Sequence, residues 1–210
     1  MTEQTYNQAV IELAQAGLTA LAQRADTPNA IKTAAAESHF ICSWMAQALK
    51  ERRFSKLVAD DLSNWIRDGR SMGANAQLPD LLARINTQYL AAIDNQCVGD
   101  ALKAMIAALD EEEWLVILDC EISGKLKLDS DGRNSLIISV EQYEQHIEAG
   151  QLLQPITLYV RSDEQLLARL AAKHQLLLSL GNKKASLIKH HKAYKLYPNN
   201  QQPALALLVD

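Results

Sequence analysis

Apolar side chains recur every three or four positions through the first half of the chain, the spacing of helices with one buried stripe. Val10, Leu13, Ala14, Gly17, Leu18 and Leu21 mark the first such helix. Thr27 followed by Pro28 has the form of an N-cap and first-turn pair, so a second helix is expected from there to about Arg52. Its stripe would be Ile31, Ala34, Ala35, Ile41, Trp44, Met45, Ala48 and Leu49. A third helix carries Leu57, Val58, Leu62, Trp65 and Ile66 and is expected to stop near Gly69, with Gly73 continuing the turn. Leu81, Leu82, Ile85, Tyr89, Ala92 and Ile93 predict a fourth, and Val98, Leu102, Met105, Ile106 and Leu109 a fifth.

The pattern changes after the acidic run Asp110 to Glu113. Trp114 to Cys120, Ser135 to Val140 and Pro155 to Val160 are short, continuously apolar and β-branched, as expected of strands buried on both faces. Between the last two, VEQYEQHIEAG predicts one helix, N-capped by Ser139 with Gln142 three residues on and stopped by Gly150. DEQLLARLAAKH predicts another, capped by Ser162. GNKKASLIKHHKAYKLYPN reads as a short basic helix, and YPNNQQP after it as a polar tract. The expected architecture is α+β: a helical bundle over residues 1–109, then a small α/β unit over 110–210 that ends in the basic helix.

Composition narrows the class. With 48% apolar residues and a net charge of −4 in 210 residues, the chain can bury a core, and its global charge names no partner. The first residues lack a basic, apolar leader and no later run reaches membrane-spanning length, so a cytoplasmic protein with no membrane partner is expected. Three widely spaced cysteines, Cys42, Cys97 and Cys120, read as buried thiols in a reducing compartment.

One segment carries a resemblance. Trp44, the hinge Lys50-x-Arg52-Arg53-Phe54, then Trp65 and the ending Gly69-Arg70-x-x-Gly73 resemble the N-terminal signature of a bacterial family known only as a domain of unknown function. The resemblance implies no activity, cofactor or catalytic residue.

Candidate chemistry is sparse. His39 and Cys42 share a helical face, but no second pair at ligand spacing completes a metal site. The stretch Asp129 to Asn134 has its glycine too early for a calcium loop and no closing glutamate, so it reads as an Asp-Gly turn. No nucleophile elbow, phosphate loop or dinucleotide fingerprint is present. Asp119 and Glu121, with Lys125 nearby, form an acid-x-acid strand end of the type that holds Mg²⁺ in nucleases. No acid lies between Glu164 and Asp210, whereas lysines cluster there. On a helix, Lys184, Lys189, Lys192 and Lys195 would face outward with Tyr194 available for stacking on bases. At the hinge, Arg52 and Arg53 are flanked by Glu51, Asp60, Asp61 and Asp68, which makes a poor nonspecific DNA surface, and the helix that follows places acids where a recognition helix presents donors. The two arginines are expected to cap carbonyls at the end of the Trp44 helix while Phe54 packs inward. Arg52, Arg53 and Trp65 remain the candidate partner surface, with core packing as the plainer role for Trp65.

No catalytic constellation, metal site or cofactor emerges. The expectation is a non-enzymatic interaction or regulatory module with a protein partner, with a nucleic-acid binder using the basic C-terminal segment and a metal-dependent enzyme using Asp119 and Glu121 as alternatives.

Overall fold

The computed structural model describes residues 4–28, 31–128, 131–181 and 186–210. It is α+β: helices α1 (Tyr6–Ala25), α2 (Ala34–Lys50), α3 (Ala59–Met72), α4 (Leu78–Ile93) and α5 (Val98–Glu111) precede the sheet. Strands β1 (Leu115–Cys120) and β2 (Ser135–Ser139), a short helix α6 (Val140–Gln145), and the small strands β3 (Ile147–Glu148) and β4 (Gln151–Leu152) come next. Strand β5 (Ile156–Arg161), helix α7 (Glu164–Lys173), and strands β6 (Leu178–Leu180) and β7 (Lys192–Leu196) complete the order. By compactness the chain divides into Met1–Leu90 and Ala91–Asp210, so the break falls within α4 and not near residue 110. Helix α5 goes with the sheet because Val98, Leu102, Met105, Ile106 and Leu109 join the same buried cluster as Leu136, Ile138 and Leu158.

In the first unit, α1 opens with a capping box. The Thr5 hydroxyl accepts from the Gln8 amide, and the Gln8 side chain accepts from the Thr5 amide. Val10, Leu13 and Ala14 of α1, Ile41 and Met45 of α2, Leu62 and Trp65 of α3 and Leu82 and Ile85 of α4 are buried, which follows the stripes expected from the sequence. Two helix limits differ. The Thr27 hydroxyl turns back to donate to the Arg24 carbonyl at 2.6 Å, closing α1, and α2 is capped by Thr33, whose hydroxyl accepts from the Ala36 amide. Ile31 is therefore outside the helix and exposed. Helix α3 runs through Gly69, because α2 and α3 approach closely there: a Cβ on Gly69 would lie 2.9 Å from Cys42 Sγ. The stop comes at Gly73, whose φ of +58° with ψ of −125° is a conformation that residues with a side chain rarely adopt.

In the second unit, the sheet has the order β1-β2-β5-β7-β6. Strands β1 and β2 are parallel, and the other pairings are antiparallel. Both faces are covered. Leu136, Ile138, Leu158, Val160, Tyr194 and Leu196 point to the side that holds α5 and α7. Ile117, Ile137, Tyr159 and Ala193 lie in register across four strands on the other side, where Ile188 and Leu128 cover them. Strand β1 is an edge strand and only half-buried, not buried on both faces.

The segment read as one helix over 140–150 is a short helix followed by a hairpin. Ala149 and Gly150, with φ of +49° and +79°, make the tight left-handed turn between β3 and β4. This turn caps α5: the Gly150 carbonyl accepts from the Asp100 amide at 3.0 Å, one of the donors a helix start leaves unpaired. The approach demands glycine at position 99, where a Cβ would sit 2.9 Å from the Gly150 oxygen and 3.1 Å from the Gln151 oxygen. Helix α7 is capped by Asp163, whose carboxylate accepts from the Leu166 amide, and not by Ser162.

The basic C-terminal helix is not formed. Residues 188–196 are a bridge to Leu126, a turn and strand β7, because the sheet supplies β7 with partners on both edges and places Ala193, Tyr194 and Leu196 in buried positions. Nor is the polar tract after it a solvated tail. Asn200 is fully buried, donates to the Ala92 and Gln175 carbonyls at 3.0 and 2.9 Å and accepts from the Leu177 amide at 3.0 Å.

Two substitutions test this framework. Gly99→Ala replaces a poor helix former with the best one, yet must push two backbone carbonyls aside, so it should destabilise by about 2 kcal/mol in urea unfolding despite the better propensity. Asn200→Ala strands the Leu177 amide in the interior, while the Ala92 and Gln175 carbonyls each keep a donor from Asn95, and should cost about 1–3 kcal/mol by the same measurement.

Candidate functional site

The hinge after α2 is shaped by how that helix ends. Arg52 takes the left-handed conformation, φ +53°. Its amide donates to the Leu49 carbonyl at 3.2 Å and the Arg53 amide to the Ala48 carbonyl at 3.1 Å, a Schellman motif. The backbone therefore closes the helix, and the arginine side chains are not needed for the capping expected of them. Arg53 turns to Glu51 at 2.6 Å, and this guanidinium, with the Gln47 amide, holds the Glu51 carboxyl below its usual range. Phe54 packs against Trp44, ring centres 5.8 Å apart. Trp65 is core, 7% exposed, and so is not part of a partner surface.

Helices α5 and α7 end the same way, with Glu113 and Gln175 left-handed and the next amide returned to Leu109 and Ala171. In both, the residue after the left-handed one is apolar and buried with that acceptor residue: Trp114 with Leu109, Leu176 with Ala171. That hydrophobic cover usually accompanies the motif. At α2 the equivalent residue is Arg53, turned away to Glu51. Ala48 is nonetheless fully buried, and an open cavity of about 570 Å³ lies beside it, lined by Ala48, Leu49, Phe54, Ala59 and Leu62 with Arg52, Ser55 and Lys56. Arg52 and Lys56 are exposed and make no ion pair among the described residues. Leu57, 49% exposed, lies next to Lys56 in the chain. The arrangement suits an apolar group that carries a negative charge.

A second cavity, about 530 Å³, lies along α2 and α3 and is lined in part by His39, Cys42, Gly69, Arg70 and Gly73. It brings the end of the Gly69-Arg70-x-x-Gly73 stretch to the same two helices. His39 and Cys42 are not joined by further ligands. Among the described residues no group of three or more His, Cys, Asp and Glu comes together that could hold a metal ion. Asp119 and Glu121 are both exposed, Asp119 on edge strand β1 and Glu121 just past its end, and Lys125 is exposed beyond them. The Asp-Gly turn is present at Asp131 and Gly132, both of positive φ, with Asp129 and Ser130 outside the described residues. Of the cysteines, Cys42 is buried, Cys120 half-buried and Cys97 exposed, so the expectation of three buried thiols holds for one.

The basic C-terminal residues do not form one face. Lys184 lies outside the described residues. Lys189 is in the turn before β7. Lys192 and Lys195 are three apart on a strand, which sends them to opposite faces of the sheet, whereas a helix would have aligned them. Lys192 pairs with Glu164 of α7 at 2.6 Å. Tyr194 is 2% exposed and its hydroxyl donates to the same carboxylate at 3.3 Å; burial, then the Glu164 charge, pushes its phenol well above the usual range. It is not available for stacking.

Sequence reasoning missed a buried pair beside β7. The Ser135 hydroxyl and His191 Nε2 are 2.9 Å apart, and His191 Nδ1 lies 3.0 Å from the Lys189 carbonyl. The carbonyl can only accept, so Nδ1 carries the proton, and neutral Nε2 accepts from Ser135. Burial lowers the His191 imidazole below its ordinary value, against the pull of the Lys189 carbonyl, and Arg161 and His190 lower it further. Both side chains are sealed from solvent, which suits a structural clasp. No spacing rule joins residues 56 apart, so only the register of β2 with β5 and β7 reveals them.

Nearly the whole chain, residues 5–209, matches the family model described as Protein of unknown function (DUF2913). It belongs to that family. No curated protein and no solved structure matches it. Among the described residues no helix is long and apolar enough to cross a membrane.

The clasp makes a pH prediction. The unfolded chain binds a proton at His191, and at His174, whose imidazole burial also lowers, more readily than the folded chain does. The stability their neutral forms supply is complete above the ordinary histidine value of about 6.5 and is lost as pH falls through the folded values. Urea unfolding between about pH 7.5 and 5.5 should show stability falling with acidity, by up to about 1.4 kcal/mol per pH unit for each group. His191→Gln should lessen that slope, leaving the His174 share.

Proposed function

We propose that the protein is a non-enzymatic interaction module that receives a partner protein at the hinge between α2 and α3. The observation that carries this reading is the cavity at the end of α2, where two cations without ion pairs among the described residues border an apolar lining. Buried cations in a fold are ordinarily paired, and exposed ones beside an apolar cavity are the composition of an interface rim around its core. Leu57 beside it extends the apolar surface past the cavity, as a macromolecular partner requires.

The nucleic-acid alternative draws less support. Its lysines are divided between two faces of the sheet and a turn, Lys192 is engaged with Glu164, and the aromatic meant for stacking is in the core. The metal-dependent alternative rests on two exposed carboxylates without a third ligand among the described residues.

The test is a photo-crosslinker, benzoylphenylalanine, placed at Leu57 in the full chain inside the cells that express it, with Leu180, equally exposed, as the control position. A discrete crosslinked partner from Leu57 and none from Leu180 is the expected result. Arg52→Glu with Lys56→Glu should abolish the crosslink while altering stability by about 0.5 kcal/mol or less, since both side chains are exposed. A crosslink that survives the charge reversal removes the hinge as the interface.

A further inference from the structure

The hinge cavity specifies a chemistry as well as a place. Resting on the reading that a partner docks there, we propose that the docking segment is an acidic peptide with one apolar anchor. The anchor side chain enters the cavity over Leu49 and Phe54, and a carboxylate near it in the peptide bridges Arg52 and Lys56.

Arg53 is occupied by Glu51, which also accepts from Gln47 at 2.8 Å, and Asp61 accepts from Tyr6 at 2.9 Å. None of these acids forms an ion pair with Arg52 or Lys56, so the rim keeps two exposed cations. A basic segment would be repelled. An uncharged one would shield both cations from water without replacing the lost solvation, a cost that a carboxylate removes by pairing with them. Arginine offers a fork that binds a carboxylate through two parallel hydrogen bonds, and Lys56 adds a second point charge.

The left-handed turn at Arg52 is shared with Glu113 and Gln175 and so is not by itself a sign of binding. What sets α2 apart is that the residue after the left-handed one is the charged Arg53, where the other two have Trp114 and Leu176, and that half-exposed Leu49, Phe54 and Ala59 line an open cavity beside it. A ligand side chain seated on Leu49 and Phe54 would complete their burial. Because the apolar surface continues at exposed Leu57, the occupant extends beyond the cavity, which fits a peptide better than a small carboxylate enclosed within it.

The probe is a fluorescent ten-residue peptide containing leucine and tryptophan followed by two glutamates, measured by anisotropy against the full-length protein. Two counterparts replace the glutamates with lysines or the apolar pair with alanines. Only the first peptide should bind, and its affinity should fall as salt rises from about 50 to 300 mM. Arg52→Gly and Lys56→Glu should each weaken it about tenfold. Arg52→Gly relieves a left-handed residue, so its Tm should rise by about 2–4 °C, and lost binding could not then be attributed to unfolding.

Binding untouched by both variants, or equal binding of the lysine peptide, overturns the proposal. So does decanoate competing as well as the peptide, which would make the site one for small amphiphilic acids. If no peptide binds while the Leu57 crosslink still depends on Arg52 and Lys56, this proposal fails and the interaction reading stands. If the crosslink is also indifferent to those charges, both fail.

Discussion

Burial of the five-stranded sheet on both faces is the constraint from which most of the second unit follows. A strand inside such a sheet must send alternate side chains to opposite sides, and each side here has its own apolar layer. Strand β7 meets that demand with Tyr194 and Leu196 on one side and Ala193 on the other. Once it does, its lysines cannot gather. Lys192 emerges beside α7 and finds Glu164, while Lys195 emerges on the far side. The same register brings Ser135 and His191 together under the Ile137, Tyr159 and Ala193 layer, closing the turn that carries Ile188 into it.

A different constraint, the accounting of backbone groups at helix ends, acts in both units. Three helices end in the same hydrogen-bond motif with a residue other than glycine at its left-handed position. In two, the next residue is a buried apolar one; in the third it is Arg53, with Ala48 buried all the same. The hinge cavity beside it is bordered by Arg52 and Lys56, which form no ion pair among the described residues. The backbone closes α2 without either arginine side chain.

Legibility followed the range of the interaction. Helical stripes such as Leu82, Ile85, Tyr89 and Ala92 in α4 are written in neighbours three or four apart, and the α1 stripe from Val10 to Gly17, the α2 stripe from Ile41 to Ala48 and the α+β class were readable. Limits set by competing local bonds were less so: Thr27 had the form of a helix start but served as a helix stop, and Asp163, not Ser162, took the cap. The hairpin at Ala149 and Gly150 was hidden because a terminal Gly is equally the signature of a helix end and of a left-handed turn.

The sequence alone determined the helical first half, the apolar strands β1, β2 and β5, the family and the absence of any familiar catalytic motif, since each rests on periodicity or on residues adjacent in the chain. The tertiary structure alone decided that the basic segment is a strand, that Asn200 is a buried clasp, that Tyr194 and Trp65 are core, and that Arg52 and Lys56 stand over an apolar cavity. These depend on groups far apart in sequence. Lysine favours helix over strand by intrinsic propensity, and the open edge of β5 and the need to cover both faces of the sheet overrode that preference.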